Sequence, residues 1–199
     1  MTPLGAIQGL DEAILHAARG SPGWAVPLFY AFTVIGAGWG LVVFIPFLFL
    51  RRTRLATMWL LLSAAASSAA VSLIKLAVGR VRPCDALGWC APLWIHSPDG
   101  GSFPNDHAAE SFAIAAFVMW RSPRLGAPLV LYAAIVAWSR CVLGVHYPSD
   151  VLAGSILGVV IASAFALELR RRELTGASRS ESQSRASSPS PAGDTGTPG

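Results

Sequence analysis

Five long apolar segments follow one another along this chain, over roughly 24–50, 55–78, 107–120, 125–145 and 151–169, and few charges interrupt them. A bilayer core of about 30 Å takes roughly 20 residues of helix at about 1.5 Å per residue. Four segments reach that length. The third is shorter, and a helix started at Asn105 covers about 24 Å. Charged residues make up 13% of the chain, about half the roughly 25% usual for a water-soluble domain. A soluble domain and a disulfide-dense secreted scaffold are both excluded. The expected fold is all-α, an integral membrane helical bundle of five spans.

Ahead of the first span, Ile7, Leu10, Ile14 and Leu15 share one side of a helical pattern while Asp11, Glu12 and Arg19 fall elsewhere. This predicts an N-terminal interfacial helix within residues 1–23. Residues 24–172 then form the transmembrane domain. Residues 173–199 are rich in Ser, Pro, Gly and Thr, too poor in apolar side chains to offset the entropy of ordering, and are expected to be a disordered tail.

The net charge of +4 does not point to nucleic acid, because that reading needs a basic patch on one accessible face. Arg51, Arg52, Arg54, Arg121, Arg124 and Arg170 to Arg172 instead flank alternate span ends. By the positive-inside rule their side and the tail are cytoplasmic, while the loops 79–104 and 146–150 face outward. A multi-pass plasma-membrane protein is the expected setting.

Lys75, Arg80, Arg82 and Arg140 lie on the opposite, outer side, against that bias. An ionisable group in or beside the hydrocarbon is a functional hypothesis by default. Lys75 and Arg82 are two helical turns apart and share a face if the helix runs on to Pro83; Arg80 reads as a snorkelling cation. The third span opens with Asn105, Asp106 and His107, and Arg140, His146 and Asp150 sit at the outer ends of the last two. Arginine forks, a lysine point charge and the free N–H groups of a helix start are the means by which proteins hold phosphate.

His146 and Asp150 are four residues apart, and Pro148 suits the first turn of the last span. Asp150 can accept from one ring nitrogen and leave the other free to attack. The rival use of these residues is metal binding. No His-x-x-x-His or Glu-x-x-His pair is present and cations crowd the site, so neither a metal nor another cofactor is expected.

These residues resemble the type 2 phosphatidic acid phosphatase superfamily of membrane lipid phosphatases. Its first motif is present as Lys75, Arg82 and Pro83, and its third as Ser139, Arg140, His146 and Asp150. The second is altered, with Asn105 where the family usually has Ser and Asp106 where it usually has Gly, before His107. The resemblance implies that His146 attacks phosphorus to give a phosphohistidine, with Asp150 orienting it and His107 as general acid and base. Lys75, Arg82, Arg140, Asn105 and Asp106 then make up the phosphate-binding set.

An acid before the motif histidine is similar to the bacterial undecaprenyl diphosphate phosphatases of the superfamily. It implies a polyprenyl diphosphate as the lipid partner at the outer leaflet. Phosphatidate or phosphatidylglycerophosphate is the alternative, and a catalytically weak lipid-phosphate-binding member is a third. Asp106 needs a cation such as Arg80 or Arg82 to offset its charge beside phosphate. Glu110, one turn past Asp106, either holds His107 or simply favours the helix start. Cys84 and Cys90 both fall on the outer side, where an oxidising compartment allows a disulfide. Oligomeric state is left open.

Overall fold

The computed structural model describes residues 3–36, 39–88 and 100–187, and among them every regular element is helical. The order is α1 (Pro3–Arg19), α2 (Ala25–Gly36), α3 (Trp39–Val42), a 3₁₀ turn (Ile45–Leu48), α4 (Arg54–Val78), α5 (Pro83–Leu87), α6 (Asp106–Arg121), α7 (Pro123–Val142) and α8 (Pro148–Ser187). Three segments, Arg54–Leu87, Pro123–Val142 and Pro148–Gly176, are long and apolar enough to cross a membrane. The other two expected spans give shorter helices, 12 residues in α2 and 16 in α6.

The described residues up to Ala166 form one compact unit. Its packing inverts that of a soluble protein. Small residues fill the interior, with Ser63, Ala64 and Ser67 of α4, Ala108, Ala109, Ala113 and Ala116 of α6, and Ala133 and Ala137 of α7 all buried. Large apolar side chains point outward, among them Leu62, Leu73, Leu76, Leu131, Leu152, Ile156 and Val160. Small interior residues let backbones approach where no hydrophobic force separates helix from lipid. Gly154 and Gly158 show this directly, since a Cβ on either would run into the backbone of Asn105 or Ala109 and push α8 off α6. The interior serines return their hydroxyls to their own helix, Ser63 to the Leu60 carbonyl at 2.7 Å and Ser67 to that of Ser63 at 2.9 Å.

The apolar run 24–50 predicts one unbroken helix, and the structure corrects this. After Val42, at the end of α3, the run turns into a 3₁₀ segment that has a proline in its first two positions, and Pro46 is the breaker there. A second correction concerns α4, which stops at Gly79 and not at Pro83. Gly79 takes the left-handed conformation, φ 59°, and returns its N–H to the Lys75 carbonyl at 3.0 Å.

From Leu167 the chain forms a second unit in which α8 continues to Ser187. Helix therefore occupies much of the stretch whose composition predicts none. The residues there explain it: Arg172 pairs with Glu168 one turn back at 2.8 Å, Ser and Thr hydroxyls bond carbonyls of their own helix, and the next proline is Pro189.

Candidate active site

Four helix ends meet at one end of the first unit. Lys75 lies in the last turn of α4. Beyond Gly79 the chain continues through Arg80 to Arg82, which takes extended geometry as the N-cap of α5, with Pro83 in the first turn. Asn105 caps α6 by accepting the Ala108 N–H on Oδ1 at 2.8 Å, the ordinary behaviour of Asn at that position. Arg140 closes α7, and Pro148 opens α8 just before Asp150.

His146 is completely buried between α7 and α8. Its Nδ1 lies 2.7 Å from the Ser102 carbonyl, which only accepts, so Nδ1 carries the proton. Its Nε2 lies 2.8 Å from Arg82 Nη1, which only donates, so Nε2 presents a lone pair. Burial, reinforced by the charges of Arg140 and Arg82 and opposed by Asp150, pushes this imidazole down to about 4. The ring is neutral at physiological pH with a defined tautomer.

Asp150 does not take the direct role its spacing suggests. Its Oδ2 is 3.8 Å from Nδ1, while the same oxygen accepts the Tyr147 N–H at 2.9 Å and the Ser102 hydroxyl. A carboxylate in the first turn of a helix is drawn to the free N–H groups there. Asp150 therefore braces the backbone on both sides of the ring, and the Ser102 carbonyl makes the hydrogen bond to it.

The basic residues gather at the same end of the unit. Arg82 and Arg140 are buried, and Arg82 also donates to the carbonyls of Val145 at 3.1 Å, Gly100 at 3.2 Å and Gly101 at 3.3 Å. Arg140 acts electrostatically on Arg82, His107 and His146. Asp106 makes its ion pair with Lys75 at 3.3 Å, and Arg82 offsets its charge only at longer range. Its other oxygen is 3.2 Å from His107 Nδ1, which orients that ring. Glu110 does not hold His107; it meets the Ser68 hydroxyl of α4. Among the described residues, the buried donors Asn105 Nδ2 and Arg140 Nε of this cluster have no partner.

Three participants are not legible from residue spacing: Ser102, Arg80 and Asp11. Arg80, taken above for a snorkelling cation, donates to Asp150 Oδ1 at 2.6 Å and to Asp11 Oδ2 at 2.8 Å. Its guanidinium stacks 4.1 Å from the Tyr147 ring centre. Asp11, on the polar side of α1 by pattern, is 3% exposed. The signal for Arg80 was its position against the charge bias; Asp11 and Ser102 left none. Cys84 is buried and disulfide-bonded, Cys141 is free, and Cys90 lies outside the described residues. Among the described residues no three His, Cys, Asp or Glu side chains group as a metal site would require.

Fold and site together define a helical membrane protein in which Lys75, Arg82 and Arg140 gather around a buried neutral imidazole. The family model described as the PAP2 superfamily matches residues 56–173, and the chain belongs to that superfamily. It is similar to the decaprenylphosphoryl-5-phosphoribose phosphatase of Mycobacterium tuberculosis, 37% identical over 128 residues, covering 63% of this chain and 68% of that protein. It also resembles the undecaprenyl-diphosphatase BcrC of Bacillus subtilis, 36% identical over 70 residues, which is 35% of this chain and 36% of that protein. The match thus spans about a third of that diphosphatase's length. Among solved structures, the transmembrane PAP2-type phosphatidylglycerolphosphate phosphatase of Bacillus subtilis superposes with a TM-score of 0.70 at 26% identity, covering 83% of this chain and 87% of that one.

Proposed function

We propose that this protein is a membrane lipid phosphatase that removes the terminal phosphate of a polyprenyl diphosphate through a phosphohistidine on His146, without a metal. The observation that carries this is the pair of orphaned buried donors, Asn105 Nδ2 and Arg140 Nε, in the cluster that also holds a lone pair on His146 Nε2. A buried unsatisfied donor costs about 1–3 kcal/mol, and a phosphoryl group supplies the missing acceptor oxygens.

In this mechanism Nε2 attacks phosphorus as the bond to the leaving oxygen breaks, and His107 gives that oxygen its proton. The phosphorylated ring carries positive charge, which the Ser102 carbonyl at 2.7 Å and the Asp150 carboxylate at 3.8 Å stabilise. Arg82 turns its Nη1 from Nε2 to a phosphoryl oxygen, and with Arg140, Lys75 and Asn105 holds the charge of the transition state. Water then attacks the phosphohistidine, His107 takes its proton, and phosphate leaves. With the flanking arginines on the cytoplasmic side, the site opens at the outer leaflet and the C-terminal segment lies inside.

Asp106 supports the diphosphate. An acid before the motif histidine is the feature similar to undecaprenyl diphosphate phosphatases, and its ion pair with Lys75 at 3.3 Å offsets the repulsion it would exert on phosphate. A second reading, a polyprenylphosphoryl sugar phosphate, is favoured by the length of the mycobacterial alignment. Purified protein in detergent with excess chelator, given undecaprenyl diphosphate, decaprenylphosphoryl-5-phosphoribose, phosphatidate and phosphatidylglycerophosphate side by side, separates these. Turnover of the diphosphate at ten times the rate of the others or more is expected. Equal turnover of all four would remove the substrate preference, and phosphate binding without turnover of any would leave a lipid-phosphate-binding protein.

A further inference from the structure

α1 docks one face on the bundle, with Leu15 and Ala18 buried against Cys141, Val142 and Tyr147. Hydrophobic docking alone does not call for an acid in that contact, yet Asp11 is buried there. Burying a carboxylate is unfavourable unless it is paired and hydrogen-bonded, and Asp11 is fully engaged. Oδ1 accepts the Ser149 N–H at 2.9 Å, while Oδ2 accepts the Ser149 hydroxyl at 2.5 Å and Arg80 Nη2 at 2.8 Å. The other nitrogen of the same guanidinium, Nη1, reaches Ser149 Oγ at 2.7 Å and Asp150 Oδ1 at 2.6 Å. Asp150 Oδ2 in turn holds the Ser102 hydroxyl and the Tyr147 N–H, and the Ser102 carbonyl holds His146.

We propose that Asp11 and Arg80 are positioning residues of the active site: α1, through the Asp11–Arg80 fork, fixes the Asp150 carboxylate and with it the Ser102 carbonyl that aims His146. The planar fork suits this task because it spans two carboxylates at once, as a lysine point charge does not. Neither residue touches the reacting atoms. Both act on the angle and tautomer of the ring, where a displacement of about 1 Å costs on the order of 10²-fold in rate. Tyr147, packed under the guanidinium, keeps the fork in plane.

The inference rests on the phosphatase reading of the site, so its test combines turnover with a binding measurement that needs no turnover. Asp11→Asn is isosteric, and Arg80→Lys keeps the charge without the fork. We expect kcat with the preferred lipid substrate to fall about tenfold in Asp11→Asn and up to about 100-fold in Arg80→Lys, with KM within about twofold of the wild type in both. The double variant should fall by less than the product of the two single losses, because Asp11 and Arg80 act through one network.

In parallel, orthovanadate, which bonds the attacking nitrogen, should bind about tenfold more weakly to Asp11→Asn, while inorganic phosphate, held by the cations, binds unchanged. Additive losses in the double variant would overturn the proposal. So would a lowered Tm accompanied by wild-type kcat and vanadate affinity, which is the behaviour of a mere anchor for α1. Wild-type protein that turns over no lipid phosphate, with Asp11→Asn still losing vanadate, would defeat the phosphatase reading and leave the positioning role standing.

Discussion

The two ends of the helical bundle carry the same kind of residue in opposite circumstances. Arg51, Arg52, Arg54, Arg121 and Arg124 are all exposed, their guanidinium groups near the ends of apolar helices. At the other end Arg82 and Arg140 are buried, and Lys75 and Arg80 are largely covered. Charge at a span end is cheap when the side chain reaches water and expensive when it does not. The first group needs no more explanation than topology. The second is explained by what it holds in place: the His146 imidazole and the three carboxylates of Asp11, Asp106 and Asp150.

That contrast is open to direct attack. The largest effect should come from Arg140→Gln, which removes a buried charge from the transition state and should lower kcat about 10²- to 10³-fold with the fold intact, as steady-state assay beside a Tm measurement would show. Next is Lys75→Gln. Because its charge is shared with Asp106, about 10-fold is expected, and Asp106→Asn in that background should change kcat by less than about threefold.

A smaller effect is expected of pH. An ordinary imidazole near 6.5 is only about one-tenth neutral at pH 5.5. His146, held down to about 4, stays neutral there, because protonation would put a charge where burial and two arginines oppose it. The limb of the kcat/KM profile that reports the nucleophile in the free enzyme should therefore lie near pH 4, with less than about a twofold loss between pH 7 and 5.5. A limb near 6.5 would mean the ring is solvated. At the bottom of the scale, Arg51→Gln and Arg124→Gln should leave kcat unchanged and alter stability by no more than about 0.5 kcal/mol; a tenfold loss from either would erase the distinction between the two ends.

Much of this was legible in the residues. The apolar lengths set the long helices α4, α7 and α8, Asn105 marked the start of α6, and the spacing of Lys75, Arg82, His107, Arg140, His146 and Asp150 brought them to one end. The break after Val42 was not foreseen because hydropathy in the first apolar segment outweighed Pro46. The contacts of Asp11 lie beyond sequence reading for a different reason. Its bonds to Ser149 cross 138 positions, and nothing in the amphipathic pattern of α1 separates an acid facing water from one facing Arg80. Ser102 was invisible in the same way, since the imidazole makes its closest contact with the backbone carbonyl, at 2.7 Å, and the hydroxyl lies farther off at 3.5 Å.

The attacking nitrogen can be caught in the act. Protein mixed with undecaprenyl diphosphate carrying radiolabel in its terminal phosphate, then quenched in alkali within a turnover and mapped by mass spectrometry, should yield an alkali-stable, acid-labile phosphate on His146 that is absent from His146→Ala. Label on any other residue, or steady turnover by His146→Ala, would contradict the mechanism.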